Sequence, residues 1–533
     1  MTTETDSTQH VGEKGITLAR DLGLLALVAT AVCNVIGGGI NVMSVGVQKE
    51  VPGIGPYVPL AFVVGVFPAL FTALCYAVLA SAMPRAGGGY IYVSRALNPF
   101  LGFMATFSKW FGLASVIGVI AYVDVALLQS GIGYLAPYMD LGPVYAFLSS
   151  DAAKLVVPLA MIWVFWLINV LGVRTYGTTV IILMFLMLLG GICIIVVGLA
   201  NNPQDFSAAL AAHPESPLAT TVAKTSLAGK SFDEIRTALD GSTGGLLELL
   251  QAASFLFFAY IGFASISQAG GETKDAHRSL PKAFIIATTV ICTYYLLFSA
   301  AIYHAVPWQF VAGLTTEAAS DTSVPLLLGV LMPPILASFV GLMAALALAN
   351  DIPPMLMATS RLFFAWARDG VFPSSLATIN RRFRTPHWAL TMCALVATLW
   401  VVLCYLREGY FTGVVTVNIA LIFTYMLIAA SVISLPRCNP TICRQVRFIR
   451  SRSAQLVVAC IAILTLLPLF VRQFWPLGDP SKFWLGVMAV GASIFAIMWL
   501  RAKARGEDLH DVFAHLPTAS EQLELAPEPL IED

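Results

Sequence analysis

Long apolar stretches, separated by short polar loops, make up most of this chain. Twelve of them are long enough to cross a bilayer as a helix, which takes about 20 residues. These predicted spans lie near residues 22–47, 57–83, 100–128, 155–171, 180–199, 246–270, 283–303, 335–366, 387–406, 410–435, 455–470 and 483–500. The pattern predicts an all-α integral membrane protein with a polar tail at each end.

The composition supports this prediction and excludes several other classes. Of 533 residues, 58% are hydrophobic and 11% are charged, whereas soluble domains carry about 25% charged residues. The formal net charge is zero, so nothing indicates a nucleic-acid partner. The nine cysteines lie mostly inside apolar spans and are interpreted there as small buried apolar residues, whereas Cys438 and Cys443 lie in a basic loop without the nearby histidine that a zinc site would need. We therefore predict neither a metal site nor a cofactor.

The distribution of positive charge predicts the orientation. Loops on the side of the two termini carry most of the 30 lysines and arginines, and in this count Arg85, Lys109 and Arg361 belong to such loops. The opposite side has only Lys49, Lys154, Lys224, Lys230, Arg236, Arg407, Arg472 and Lys482. By the positive-inside rule both termini are cytoplasmic, in a multi-pass protein of the cell membrane.

The first span is interrupted by three successive glycines, Gly37-Gly38-Gly39, which follow Ile36. Glycine disfavours helix and lets a ligand approach the backbone closely. Unpaired backbone at membrane depth is tolerated only where it is buried in protein or lines a polar cavity. A half-helix starting near Gly39 would offer N–H groups to a carboxylate, and the carbonyls of Val35 and Ile36 would suit an ammonium group or a cation. The alternative is a small-residue patch for helix packing.

A second interruption, Phe258-Ala259-Tyr260-Ile261-Gly262, lies in the sixth span. Two broken helices at corresponding positions of two halves point to the substrate site of a transporter, near the middle of the membrane. In that interpretation Phe258 and Tyr260 lie over the substrate. The alternative is that both aromatic residues only pack against neighbouring helices.

Four stretches together resemble one transporter superfamily. They are Ile36 to Ile40, Met83 to Tyr90, Phe257 to Pro281, and Ser360-Arg361 with Ala367-Arg368-Asp369-Gly370. In order and spacing they resemble the amino acid–polyamine–organocation (APC) superfamily over roughly residues 20–440. The resemblance implies a LeuT-type fold of twelve transmembrane helices, with spans 1 and 6 broken. Its two inverted five-helix repeats would cover about 21–200 and 245–436, with two extra helices at about 453–502.

The implied domain organisation is a cytoplasmic tail at 1–20, a transporter domain at 21–503 and a disordered cytoplasmic tail at 504–533. The resemblance also implies the substrate-binding residues. Backbone groups of both breaks would bind the carboxylate and the amine of an amino acid, and three side chains would line the side-chain pocket. The breaks contribute Ile36, Gly37, Gly38, Gly39, Phe258, Ala259, Tyr260, Ile261 and Gly262, and the pocket contains Ile117, Ile120 and Met355.

The chain departs from the family pattern at three positions that bear on coupling. Gly38 replaces the usual serine of the first break. Ala264 stands where many members have a glutamate, and Met187 where some proton-coupled members have a lysine. Coupling must therefore use other groups, use sodium instead of protons, or be absent as in an exchanger. The sequence leaves the coupling ion and the oligomeric state open.

Two carboxylates inside predicted spans are candidates for coupling or for side-chain selectivity. They are Asp124 in span 3 and Asp351, next to Asn350, in span 8. An ionisable group at membrane depth costs about 2.5–3.5 kcal/mol on insertion scales, which makes it a functional hypothesis by default. We expect both to line an outer vestibule and to attract a cationic side chain or carry a proton. The alternative is that Asp351 caps a broken half-helix and Asp124 lies in water at a helix end.

The sequence therefore predicts a secondary active transporter of amino acids that works by alternating access, with cationic amino acids as the preferred subclass. A polyamine or amine transporter of the same fold is the alternative. A channel is disfavoured because no continuous polar stripe runs along spans 3, 8 and 10. A membrane-embedded enzyme is disfavoured because the chain lacks a nucleophile–base or metal cluster. The expected partners are a small amino acid or amine and the lipid bilayer.

Overall fold

The computed structural model describes residues 18–135, 139–231, 234, 244–318, 322–406, 411–475 and 477–504. The predicted disordered tail at 504–533 lies outside the described residues except for its first residue. The predicted N-terminal tail at 1–20 is described only from residue 18 onwards. All regular structure in the described part of the chain is helical.

The first half begins with a broken helix and continues with long helices joined by short turns. Its helices are α1 Leu24–Cys33, α2 Gly38–Glu50, α3 Val58–Ala82, α4 Gly89–Ala96, α5 Pro99–Gly133, α6 Gly142–Leu148, α7 Ala153–Val170, α8 Val173–Ala200, α9 Pro203–Ala212 and α10 Pro217–Val222. A 3₁₀ turn at Pro52–Tyr57 precedes α3. The helices α9 and α10 lie in the polar segment between predicted spans 5 and 6.

The second half also opens with a broken helix. Its helices are α11 Leu246–Leu256, α12 Ser265–Gln268, α13 Ala276–Ala305, α14 Trp308–Ala318, α15 Val324–Gly329, α16 Pro334–Ala349, α17 Ile352–Arg368, α18 His387–Leu406, α19 Phe411–Cys438, α20 Pro440–Cys443, α21 Arg452–Phe474 and α22 Asp479–Ala504. Short 3₁₀ turns lie at Phe257–Tyr260, Gly270–Glu272 and Ser374–Ala377.

Eleven segments of the described chain are helical, long and apolar enough to cross a membrane. They correspond to predicted spans 2 to 12. Predicted span 1 appears instead as α1 and α2, each too short to cross alone. The two broken elements open the two halves of the predicted inverted repeat. The twelve-helix count and the five-plus-five layout stay predictions.

The helix α5 lies at the centre of the bundle and packs against α7, α16, α17, α18 and α19. The broken sixth span is equally central, because 72% of its apolar window is buried, against 22% for α21 and for α22. The last two helices are therefore peripheral. They present large apolar side chains outward, such as Leu464 and Leu500, which are 70% and 58% exposed.

On the side of the bundle where α2 ends, the segment after α8 is tied to the second half of the chain. The helix α9 starts with a capping box, in which the side chains of Asn202 and Asp205 each accept a backbone hydrogen bond. Farther along, the N–H of Ser226 donates to Oε2 of Glu317 at 2.6 Å, and the Ser226 hydroxyl donates to Oε1. These two bonds lower the pKa of the Glu317 carboxyl below its ordinary value.

Candidate functional site

The helices α1 and α2 together form the first element, which corresponds to predicted span 1. Its break covers Asn34 to Gly37, between the end of α1 and the start of α2. No side chain caps the N-terminus of α2, so its first N–H groups and the positive end of its dipole lie at the break. Gly37 is in close contact with another element, because a Cβ at this position would lie 2.5 Å from Cγ of Asp351. The interruption predicted at the glycines is therefore present.

Predicted span 6, called the sixth element here, consists of α11, the 3₁₀ turn Phe257–Tyr260 and α12. Its break begins with that turn and ends where α12 starts at Ser265. Gly262 has φ +138°, which L side chains rarely adopt. A Cβ there would also lie 2.7 Å from the carbonyl carbon of Asn34. The second interruption is present as well, and its glycine is required by both conformation and space.

The two breaks are in direct contact. Nδ2 of Asn34 donates a hydrogen bond to the carbonyl of Gly262 at 2.9 Å. The hydroxyl of Tyr295, on α13, lies 2.5 Å from the carbonyl oxygen of Val35 and 2.8 Å from that of Ala259. One phenol therefore bridges the unwound backbone of both breaks. The expectation that the Val35 carbonyl has no partner is wrong, since Tyr295 supplies one.

Tyr295 was missed because nothing in the sequence around it distinguishes it from other aromatic residues in membrane spans. Its role depends on α13 packing against α1 and the sixth element, which is a tertiary fact. The other predicted aromatic residues differ from each other. Tyr260 is buried, donates its hydroxyl to the carbonyl of Phe62 and packs its ring against Phe62 and Tyr295. Phe258 is partly exposed.

Asp351 lies at the junction of α16 and α17, and its carboxylate contacts the first break at Gly37. The residue is buried, and Oδ1 has no hydrogen-bond partner among the described residues. Its side chain does not cap α17, so the alternative of a helix cap is wrong. Beside it, Nδ2 of Asn350 lies 3.8 Å from Sδ of Met187. The carboxylate thus lies at the break itself.

Asp124 lies well inside α5 and is only 1% exposed. The alternative that placed it in water at a helix end is therefore wrong. Its Oδ1 has no partner in the described part of the chain, and its carboxyl is close enough to interact electrostatically with that of Asp351. Two buried carboxyls without compensating cations would repel each other if both were ionised. The bundle therefore contains an acidic pair beside the first break.

The predicted side-chain pocket residues lie on the helices that carry these aspartates. Ile117 and Met355 are buried, and Ile120 is partly buried. The helices α5 and α17 pack against each other. The environment beside the acidic pair is therefore apolar.

A small cavity lies between the two breaks, and Asp351 is not among its lining residues. It has room for about one water molecule. Its lining includes Asn34 and Gly262 from the breaks, Ser265 from α12, Lys109 from α5 and Tyr425 from α19. Lys109 is 2% exposed and lies within a membrane-spanning helix, so its assignment to a loop in the charge count is wrong.

Buried ion pairs link the elements at one end of the bundle. Two guanidinium nitrogens of Arg361, Nε and Nη2, donate to the carboxylate of Glu272 at 3.2 and 2.5 Å. Both residues are almost fully buried. Arg95 and the Tyr90 hydroxyl both donate to Asp369 at 2.8 Å. Arg361 is thus a buried partner of Glu272, contrary to its assignment to a loop.

Backbone pairing joins the same end. The N–H of Leu22 donates to the carbonyl of Glu272 at 3.0 Å, and the N–H of Lys274 donates to the carbonyl of Leu22 at 2.9 Å. The chain before α1 is therefore attached to the segment after α12, below both breaks. With the ion pairs, this closes one end of the bundle.

Among the described residues, no group of three or more histidine, cysteine, aspartate or glutamate side chains is arranged to bind a metal ion. The polar groups at the breaks are backbone amides and carbonyls, two carboxyls, one amine and several hydroxyls. Such a set can bind a small zwitterion or move protons.

Comparison with known proteins gives a consistent result. A family model described as "Amino acid permease" matches residues 22–499. The branched-chain amino acid permease of Bacillus subtilis is 25% identical over 444 residues, which cover 81% of this chain and 84% of that protein. The human large neutral amino acids transporter small subunit 2 is 26% identical over 75% of this chain and 68% of its own length. The vacuolar cationic amino acid transporter 4 of Arabidopsis thaliana is 26% identical over 69% of this chain and 56% of its own length.

Proposed function

Because the chain belongs to the amino acid permease family, we propose that it is a secondary active transporter, which moves amino acids across a membrane by alternating access about its two broken elements. The observation that carries this proposal is the contact between the breaks, made by Asn34, Gly262 and the bridging hydroxyl of Tyr295. Unwound backbone at this depth is tolerated where it serves a site. A relative shift of the two halves would change which side has access to that site.

The amino acid backbone would be bound by main-chain groups. Its carboxylate would accept hydrogen bonds from the N–H groups at the start of α2, at Gly38 and Gly39, where the helix dipole favours negative charge. Its ammonium group would donate to carbonyls of Ile36, Phe258 and Ile261. The carbonyls of Val35 and Ala259, which accept from the Tyr295 hydroxyl, each keep a second lone pair that can accept a hydrogen bond from the ammonium group.

For the substrate side chain, the acidic pair favours a cationic amino acid. Asp351 contacts the first break, and a buried carboxylate oxygen without a partner is costly unless a ligand satisfies it. A lysine or arginine side chain would do so. The apolar residues Ile117, Ile120 and Met355 favour the second candidate, a neutral branched-chain amino acid. An amine without a carboxylate would leave the α2 N-terminus unused, which disfavours a polyamine.

The test is counterflow in proteoliposomes containing the purified protein. Vesicles loaded with one unlabelled amino acid should accumulate the same labelled amino acid, with saturation, and a panel of lysine, arginine, leucine, isoleucine, aspartate and putrescine should rank lysine and arginine first. Leucine or isoleucine first would select the second candidate. Single-channel currents, or the absence of counterflow for every compound, would contradict a carrier.

The role of Asp351 is tested by Asp351→Asn. A charge-assisted hydrogen bond contributes about 1.5–3 kcal/mol, so lysine exchange should fall by about tenfold or more, while leucine exchange, if present, should change by less than about threefold. The control is Asp151→Asn, since Asp151 is exposed and pairs with exposed Lys154 at the surface. Equal lysine exchange in Asp351→Asn and in wild-type protein would exclude the cationic subclass.

A further inference from the structure

One buried amine is not used by the proposed binding of the substrate. Lys109 lies ten residues after the start of α5, which at 1.5 Å per residue is about 15 Å along the helix. The apolar core of a bilayer is about 30 Å thick. The amine is therefore carried well inside the span, and it lies at the level of the two breaks because it lines one cavity with Asn34 and Gly262.

Among the described residues, no carboxylate forms an ion pair with the amine. Nζ is buried and has no hydrogen-bond partner among the described residues. Nζ lies over the ring of Tyr76, 6.0 Å from the ring centroid. An ammonium group without a counter-charge is strongly disfavoured in such surroundings, because burial removes its hydration. The arrangement seen in the structure, in which Lys109 is buried, therefore favours the neutral form of its amine.

The amine also has access to polar groups of both breaks. Lys109 lines the cavity together with Asn34, Gly262 and Ser265. Oδ1 of Asn34 and Oγ of Ser265, like Nζ, have no partner in the part of the chain that the structure describes. Unpaired polar atoms around a space large enough for one water molecule mark a place that water enters when the elements separate.

The groups that face Lys109 from neighbouring elements are neutral. The titratable ones are the phenols of Tyr76 on α3 and Tyr425 on α19, with Tyr92 of α4 packed against Tyr76. The polar side chains from the broken elements are an amide and a hydroxyl, and the rest of the lining is apolar or glycine: Leu113, Ile261, Gly262, Ala264 and Leu421. No carboxylate lines the described cavity. The charge of the amine is therefore determined mainly by whether the cavity is dry or hydrated.

We propose that Lys109 is the proton-carrying group of this transporter: its amine accepts a proton when the cavity opens to water on one side and releases it when the cavity opens to the other. The inference rests on the proposed function. The step is the binding and release of one proton by a primary amine, and no other bond changes. Protonation favours the hydrated arrangement and deprotonation the dry one, so proton binding and conformation are linked.

The alternative use of the same amine is direct pairing with the substrate carboxylate. The two uses predict different transport behaviour. A proton carrier is needed for accumulation driven by a pH gradient but not for exchange at equal pH. A substrate ligand is needed for both.

The experiment uses full-length protein in proteoliposomes, with labelled L-lysine or L-leucine, whichever exchanges faster in wild type. The variant is Lys109→Met, which keeps the length and apolar character of the side chain and removes the amine. The matched control is Lys154→Met, because Lys154 is exposed at the start of α7. Each protein is assayed for counterflow at equal pH and for accumulation with the outside two pH units more acidic.

One proton per substrate allows at most about 100-fold accumulation under this gradient, since each pH unit is tenfold in proton activity. Wild type and Lys154→Met should accumulate substrate above the level reached without a gradient. Lys109→Met should exchange within about threefold of wild type but show an accumulation ratio near 1. Retained exchange also shows that the variant is folded.

Three results would overturn the proposal. The first is wild-type counterflow without any effect of the pH gradient, which leaves the proposed function intact. The second is a Lys109→Met protein that still accumulates substrate under the gradient. The third is a monodisperse Lys109→Met protein that loses exchange and accumulation together, which assigns the amine to the substrate. Absence of counterflow in wild type would refute the proposed function, and this inference with it.

Discussion

At the scale of single residues, the glycines of the two breaks are required for different reasons. Gly37 has no positive φ, and it is a glycine because the carboxylate of Asp351 occupies the space of a Cβ. Gly262 combines φ +138° with close contact to the Asn34 carbonyl. Only the second position therefore also imposes backbone strain on any other residue. Gly39 is less constrained, because a Cβ there would meet only Cα of Ala259, at 3.9 Å.

The first prediction concerns Gly262→Ala. The substitution must relieve both the φ of +138° and the overlap with Asn34, so we expect a loss of about 1–3 kcal/mol of stability from strain alone. Counterflow should fall at least tenfold, because the breaks move apart. The measurements are thermal unfolding in detergent and counterflow in proteoliposomes.

The control for this substitution is Gly46→Ala. Gly46 is inside α2, and a Cβ added there would have no other atom within 4 Å. Alanine in a helix is favoured over glycine, so the control should be neutral or slightly more stable. If Gly262→Ala behaved like Gly46→Ala in both measurements, the strained contact between the breaks would contribute neither to stability nor to transport.

At the scale of elements, the pair Glu272–Arg361 joins the segment after the sixth element to α17. Breaking one partner of a buried ion pair leaves an uncompensated charge, which typically costs about 3–5 kcal/mol. The same segment is attached to the chain before α1 through Leu22. In the proposed transport cycle, opening of this end of the bundle would require this pair and the backbone pairing to separate.

The element-scale prediction concerns Glu272→Gln. We expect a loss of about 3–5 kcal/mol, seen as a lower midpoint of thermal unfolding, and reduced counterflow at all substrate concentrations. The control is Lys274→Met, because Lys274 pairs with Asp21 at the surface, where an ion pair contributes at most about 1 kcal/mol. An equal effect of both substitutions would contradict the special role of the buried pair.

At the scale of the whole molecule, the described helices form one bundle in which the broken elements and α5 are central and α21 and α22 are peripheral. The orientation in the membrane rests on the asymmetry of positive charge. Two of the residues in that count, Lys109 and Arg361, are buried in helices rather than exposed in loops. Removing both leaves the asymmetry in the same direction, because the opposite side still has only a few positive residues.

The prediction at this scale concerns the natural thiol of Cys438, which is exposed at the end of α19. In the predicted orientation it faces the cytoplasm. A membrane-impermeant maleimide should therefore label it in inside-out vesicles and not in intact cells. The variant Cys438→Ala controls for the other thiols, and Lys154→Cys, introduced on the opposite side, should label from outside. Labelling of Cys438 in intact cells would invert the assigned topology.

The sequence by itself determined the membrane setting, the places of both breaks and the family. These properties depend on local rules: the length of an apolar run sets a span, and consecutive glycines weaken a helix wherever they occur. Spans 2 to 12 and the first interruption were found on that basis, whereas Gly262 and the resemblance of the stretch from Phe257 to Pro281 indicated the second interruption.

Only the tertiary structure decided which side chains meet at the breaks. Tyr295 bonds a carbonyl 260 residues away, and Arg361 pairs with a glutamate 89 residues away. Lys109 and Asp351 appear in the sequence as one charge assigned to a loop and one in a span, and only helix packing brings the first to the cavity between the breaks and the second to Gly37. The physical reason is that hydrophobic length specifies helices but does not specify their neighbours, whereas a buried polar group is defined by those neighbours.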